Sequence, residues 1–163
     1  MEIRDLYDEN KRITGETIVK GEAIPKGKYY ITVVIWIRNE DGEFLIQKRA
    51  LRKDGKWATT GGHPVSGETS EQGAFTEIRE ELGLNLEGEK LTLFKTIKTE
   101  DDFVDLYYIK VKNINIKDIV IQKEEVEGVK WASINEIKRL IEKHQFSESH
   151  TKFFEECMKF IQK

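Results

Sequence analysis

The chain is poor in cysteine and proline, with one and two respectively in 163 residues, and it has no low-complexity tract. A single thiol, Cys157, closes no internal disulfide and has no thiolate partner for a metal centre, which excludes a disulfide scaffold and a cysteine-zinc site. Its setting, "FFEECMKFI", reads as the buried side of a terminal helix. Long apolar runs are also missing. The longest, "YYITVVIWI" at 29–37, falls far short of the roughly 20 residues that a membrane helix needs. The opening "MEIRDLYDEN" is too acidic for a signal or transit peptide, so a cytoplasmic location and no membrane partner are expected. A net charge of −3 and a pI near 5.8 provide no broad basic field, which argues against a nucleic-acid partner.

What is present describes one globular domain over 1–163, with 38% hydrophobic and 35% charged residues. Residues 1–24 read as a β-hairpin extension, because "EIRDLY" and "ITGETIVKG" flank the turn-forming "DENK". "YYITVVIWI" and "EFLIQKR", joined through Asp41-Gly42, are expected to form a central antiparallel pair. After a glycine-bearing loop with a short extended piece at Trp57, Thr69 and Gln72 stand at capping-box spacing. Phe75, Ile78 and Leu82 then form a helical stripe that ends at Gly83. Strands are expected at "KLTLFKTIK", "FVDLYYIKV" and "VEGVKWA". Ser133 and Glu136 announce a second helix, and a last helix runs over about 150–162. Strands joined by hairpins, with helices between and after them, predict an α/β sandwich on a mixed β-sheet.

The segment "GGHPVSGETSEQGAFTEIREELGL", residues 61–84, carries five glutamates. Glu77, Glu80 and Glu81 fall within about 100° of one another on a helical wheel. A solvated helix face pairs Glu with Lys or Arg four residues on, but here Glu77 is followed at that spacing by Glu81 and Glu80 by Leu84. A divalent cation is the natural missing partner, and carboxylate oxygens suit Mg²⁺ or Mn²⁺.

Residues 62–84 resemble the Nudix box. Gly62, Glu68, Glu77, Ile78, Glu80, Glu81, Gly83 and Leu84 fall in its register, and Thr76 stands where the family has arginine. The flanking strands extend the likeness across most of 29–143. The resemblance implies a Nudix-type α/β/α sandwich and Mg²⁺- or Mn²⁺-dependent hydrolysis of a diphosphate bond, typically in a nucleoside diphosphate linked to another moiety. Carried over by position, it makes Glu80 and Glu81 the main metal ligands, Glu77 a ligand or base, the Gly61 carbonyl a further ligand and Glu68 a support. The partner would be a small-molecule diphosphate; the oligomeric state is open, a homodimer included.

Such enzymes often carry another acid beyond the box, and Asp105, which interrupts a strand of bulky residues, is the candidate. Arg49 and Lys56 are candidates for substrate phosphates. "KWATTGGHPVSGE" also resembles the Gly-His-Pro region of isopentenyl-diphosphate isomerases, a Nudix-fold branch, which makes His63 a candidate substrate contact. That branch uses a cysteine just before this motif, where Gly61 stands here, and extra N-terminal histidines, whereas the only others here are His144 and His150. A diphosphate hydrolase is therefore favoured over an isomerase. The intact glutamates favour it over a non-catalytic nucleotide-binding module.

Overall fold

The architecture follows from alternation along one strand. In β3, Tyr30–Arg38, residues Ile31, Val33, Ile35 and Ile37 face one way and Val34 and Trp36 the other, all buried. A strand apolar on both faces must be covered on both. The computed structural model, which describes residues 1–162, shows how. Lys163, the last residue of the expected domain, lies outside the described residues.

Two strands precede β3. β1, Ile3–Tyr7, and β2, Ile13–Val19, pair antiparallel as a separate hairpin. Leu6 and Ile18 bury its inner side, and its edges are tied to the domain: Tyr7 and Tyr29 exchange backbone hydrogen bonds, and the Ser66 N–H donates to the Ile3 carbonyl at 2.7 Å.

The main sheet holds β3, β4 (Phe44–Arg49), β5 (Trp57–Ala58), β6 (Thr60–Gly62), β7 (Leu91–Lys98), β8 (Asp102–Lys110) and β9 (Val126–Ala132). The parallel neighbours β3 and β8 run in register from Tyr30↔Asp102 to Arg38↔Lys110, while the other pairings are antiparallel, so the sheet is mixed. The expected central antiparallel pair is present but short. β3 and β4 meet only at Arg38↔Phe44, beside their turn, and then part. The backbone groups of β3 are taken instead by β8 on one edge and β6 on the other, and those of β4 by β9 and β5. A cleft opens between the diverging strands.

Helix α1, Ser70–Leu82, covers one face through Ala74, Ile78 and Leu82 packed on the Ile31/Val33/Ile35/Ile37 side. Helices α2, Ile134–Glu142, and α3, Glu148–Ile161, cover the other through Ile137, Leu140, Phe154 and Cys157 against Val34, Trp36, Phe44 and Ile46. The result is an α/β/α sandwich. Cys157 is fully buried, and burial pushes its thiol up to about 12, so it serves as packing. Among the described residues no helix is long and apolar enough to cross a membrane.

Candidate active site

Helix α1 is fixed at both ends by its own sequence. The Thr69 hydroxyl accepts from the Gln72 N–H, the Gln72 side chain accepts from the Thr69 N–H, and Gly83 closes the helix in the left-handed region at φ 65°. Its register turns Glu77, Glu80 and Glu81 toward β6, where they line one cavity of about 300 Å³ with Gly61, Gly62 and His63.

The three glutamates occupy different depths. Glu80 is exposed, Glu77 is half-buried, and Glu81 is only 9% exposed. Glu81 Oε1 accepts from the Thr60 hydroxyl, from Gln47 Nε2 at 3.3 Å and from the Gly61 N–H at 3.3 Å, all neutral donors. Burial outweighs them and holds this carboxyl above its ordinary value. Glu77 is pushed up to about 8, first by burial, then by the charges of Glu81, Glu80 and Glu2, against a lowering hydrogen bond from the His63 backbone. Gly62 makes room for it, because a Cβ there would lie within 2.5 Å of both Glu77 carboxylate oxygens.

These are crowded carboxylates whose bonded partners are neutral, the setting that a hard divalent cation completes. Among the described residues no three His, Cys, Asp or Glu side chains form a ready-made cage. The donors that do converge on the cavity are carboxylate oxygens and the backbone at Gly61, which fits a cation that keeps several waters and is held by few protein groups.

The raised carboxyls make a prediction about stability without metal. Between pH 4.5 and 8 the folded protein holds a proton on Glu77 that the unfolded chain has released, so this group's stabilisation is lost as pH rises toward about 8. Glu81 acts in the same direction. His63 and His150 are pushed below 6.5 by burial and oppose the trend only below that value. Urea unfolding in the presence of chelator should therefore show stability falling from pH 6.5 to 8, less steeply in Glu77→Gln. A flat or rising profile would contradict the assignment.

The other sequence candidates divide. Arg49 lines the adjoining recess and pairs with Asp54 at 3.3 Å. His63 lines both cavity and recess, with Nδ1 3.3 Å from the Thr32 hydroxyl and from the Ile31 carbonyl. Lys56 is not with them; it lies in a separate depression with Trp57 and His144. Lys53, which lines both cavity and recess, takes the place expected of it, although it also pairs with Glu125. Asp105 is not brought into the group. It is fully buried and accepts from Lys11 Nζ at 2.7 Å, from the Thr96 hydroxyl at 2.6 Å and from the Ser70 hydroxyl, pinning hairpin, sheet and the start of α1 together. Glu68 lines neither the cavity nor the recess. It accepts from the Val65 N–H at 2.9 Å and from the Thr76 hydroxyl at 2.7 Å, which ties the loop to α1. Thr76, at the position of the box arginine, is thus engaged with Glu68, and Arg79 reaches toward Glu87 and Thr76 on the exposed side.

Two residues of the hairpin arrive that the sequence did not single out. Arg4 and Lys20 line the glutamate cavity. The Arg4 side chain is 12% exposed, donates from Nε to Glu2 at 2.7 Å and lies over the Tyr30 ring. No local motif marks either residue; only the docking of the hairpin brings them in.

The sequence model of the NUDIX domain matches residues 28–157. The chain belongs to the Nudix hydrolase family. It is 33% identical over 151 residues to an uncharacterized Nudix hydrolase of Listeria monocytogenes, covering 90% of this chain and 88% of that one. It is 30% identical over 139 residues to the isopentenyl-diphosphate Delta-isomerase of Pectobacterium atrosepticum, covering 81% and 76% respectively, so the isomerase-like branch is supported as well as the family. Among solved structures, DR0079 of Deinococcus radiodurans superposes with a TM-score of 0.72 at 20% identity, over 90% of this chain and 92% of that one. The NUDIX domain of Shewanella oneidensis NrtR, complexed with ADP ribose, gives 0.65 at 16%, over 82% and 88%. These two likenesses establish the Nudix fold. Members of the family generally use divalent metals and cleave nucleoside diphosphate-linked moieties.

Proposed function

We propose that this Nudix protein is a cytoplasmic Mg²⁺- or Mn²⁺-dependent hydrolase that cleaves the diphosphate bond of a nucleoside diphosphate linked to another moiety. The observation that carries the reading is the pair of carboxylates, half-buried Glu77 and buried Glu81, facing the same cavity as Glu80 with no cation among the described residues bonded to either. Glu77, Glu80, Glu81 and the Gly61 carbonyl would hold the metal, which when bound neutralises the phosphates and lowers the pKa of a water. Arg49, Lys53 and Arg4 supply cationic N–H groups around the cavity for the phosphate oxygens. Glu77, whose carboxyl burial and the neighbouring glutamate charges push up to about 8, would serve as ligand or proton acceptor. Glu68, through Thr76 and Val65, keeps the glycine loop against α1. Water adds to one phosphorus, the bridging P–O bond breaks, and two phosphate-bearing products leave.

The ADP ribose bound by the NrtR domain makes a nucleoside-linked compound a first candidate, and the Pectobacterium relative makes isopentenyl diphosphate a second. One observation weighs against isomerase chemistry. A Cβ at Gly61 would lie 2.7 Å from the Val33 carbonyl oxygen, so the backbone there has no room for the thiol that branch requires. A panel of diphosphate compounds with Mg²⁺ or Mn²⁺, read by phosphate release and product mass, should show cleavage. Isopentenyl diphosphate should give no dimethylallyl isomer. Isomer formation by the purified protein, or no metal-dependent cleavage across the panel, would overturn this reading.

A further inference from the structure

Beyond Glu81 the cavity continues into a recess of about 220 Å³, between the diverging β3 and β4, lined in part by Thr32, Gln47, Ala58, Thr59 and His150. Nothing in the reaction above uses two of its polar groups, the His150 imidazole and the Gln47 amide oxygen. His150 enters from the first turn of α3, and its Nδ1 accepts from the Thr59 N–H at 3.2 Å. An imidazole that accepts at Nδ1 carries its proton on Nε2. Nε2 has no protein acceptor among the described residues. The ring is held in place as well. The hydroxyl of Thr59 is locked to the Ile35 carbonyl, and Phe153 lies 5.8 Å away, centroid to centroid. Burial, and after it the charge of Arg49, pushes this histidine down to about 4, which keeps the ring a neutral donor at physiological pH.

Gln47 supplies the complement. Its Nε2 donates to Glu81, which fixes the direction of the amide and leaves Oε1 buried without a partner among the described residues. A buried acceptor left unmatched is uncommon and marks a place where a donor is missing. The charged groups that also line the recess, Arg49 and Lys53, are each paired with a carboxylate, Asp54 and Glu125, whereas the His150 imidazole and the Gln47 amide are neutral. The open Gln47 acceptor calls for a donor and the His150 N–H for an acceptor, and a hydroxyl is both whereas an ionised phosphate oxygen donates nothing.

We propose that His150 is a specificity-determining residue that accommodates, in this recess, a hydroxylated group of sugar or polyol type on the non-reacting side of the substrate, one of whose oxygens accepts from Nε2–H. This inference rests on the diphosphate reading of the cavity and goes beyond it by setting the class of the attached moiety. It runs against an apolar one: a site built around hydrogen-bonding groups discriminates strongly against a ligand that leaves them unpaired.

The test uses two probes matched at five carbons and a terminal diphosphate, ribose 5-diphosphate and isopentenyl diphosphate. Binding is measured by calorimetry with Ca²⁺ in place of Mg²⁺, and inorganic pyrophosphate serves as the common reference. The parent protein should prefer the ribose compound by about tenfold or more. His150→Asn retains an acceptor for the Thr59 N–H but is too short to reach the recess. It should remove most of that preference while leaving pyrophosphate binding unchanged. His150→Gln, which can present an amide N–H near the position of Nε2, should restore part of it. Equal binding of the two probes by the parent would overturn the proposal, and that measurement needs no variant to fold. A His150→Asn protein, folded by thermal unfolding, that weakened both probes and pyrophosphate equally would overturn it too, by making His150 a phosphate contact. If pyrophosphate itself failed to bind, the diphosphate reading would fall and this inference with it, whereas pyrophosphate binding without a preference sinks the inference alone.

Discussion

Glu81→Gln should fold and lose at least about 100-fold of its divalent-metal-dependent turnover. Loss of a group that merely orients a metal ligand typically costs 10–100-fold, and removing the charge of the ligand itself exceeds that. The fold should survive for a local reason. Glu81 meets a hydroxyl, an amide NH₂ and a backbone N–H. A glutamine can still accept through its carbonyl from Gln47 or Gly61, and its NH₂ can donate to the Thr60 hydroxyl, which is free to turn and accept. Burial also raises the energy of the charged form at this position, so the neutral amide relieves a destabilising group instead of creating one. Metal-free stability should then be equal to the parent's or higher, while turnover at saturating Mg²⁺ collapses. Glu80→Gln makes the same chemical change at an exposed position and should lose activity with little effect on stability. Near-normal turnover in either folded variant would remove that residue from the ligand set.

The parts of this molecule that were legible in the sequence are those governed by neighbours a few residues apart. The capping box at Thr69 and Gln72, the stop at Gly83, the burial of Ile78 and Leu82 and the shared face of the three glutamates all follow from helical geometry, and each is present. The glycine loop and α1 carry the family likeness for the same reason. What escaped the sequence was set by contacts across long separations. Asp105 was singled out as an acid among bulky residues. The register of β8 on β3 instead points it at Ser70, Thr96 and the hairpin's Lys11, and three donors leave it no role at the cavity. Lys56 and Lys53 lie three apart in an irregular segment with no periodicity to choose between them, and the loop turns Lys53 inward. Arg4 comes from a hairpin about 60 residues before the box it serves, and His150 from a helix about 70 residues after it; neither stands in a motif. The antiparallel pairing expected of β3 and β4 is confined to Arg38↔Phe44 because other strands claim the rest of their edges, and the recess lies in the gap that results.

Gly62→Ala should abolish most activity while leaving the protein as stable as the parent or more so, a combination that separates the site from the scaffold. Gly62 lies in β6 opposite Val33, without a left-handed backbone, so alanine meets no conformational strain there. What the new methyl meets is the carboxylate of Glu77, with both oxygens within 2.5 Å. That carboxylate ends a flexible side chain and will be displaced toward solvent before the strand moves. Displacement releases a half-buried, charge-crowded group, and the alanine restricts the unfolded chain, an effect of roughly 0.4–1 kcal/mol in favour of the fold. Turnover should fall at least about tenfold, because a ligand or base moved by an ångström loses the geometry on which its contribution depends. The fall in metal-free stability between pH 6.5 and 8 should flatten in the same variant, since a solvated Glu77 no longer holds its proton. Gly61→Ala provides the contrast. Its Cβ would lie 2.7 Å from the Val33 carbonyl oxygen, a backbone atom in a paired strand, and relieving that clash should cost about 1–3 kcal/mol of stability. Urea unfolding and turnover measured side by side distinguish the two glycines. A Gly62→Ala protein with parental activity would show that the position of Glu77 against β6 is not used in the reaction.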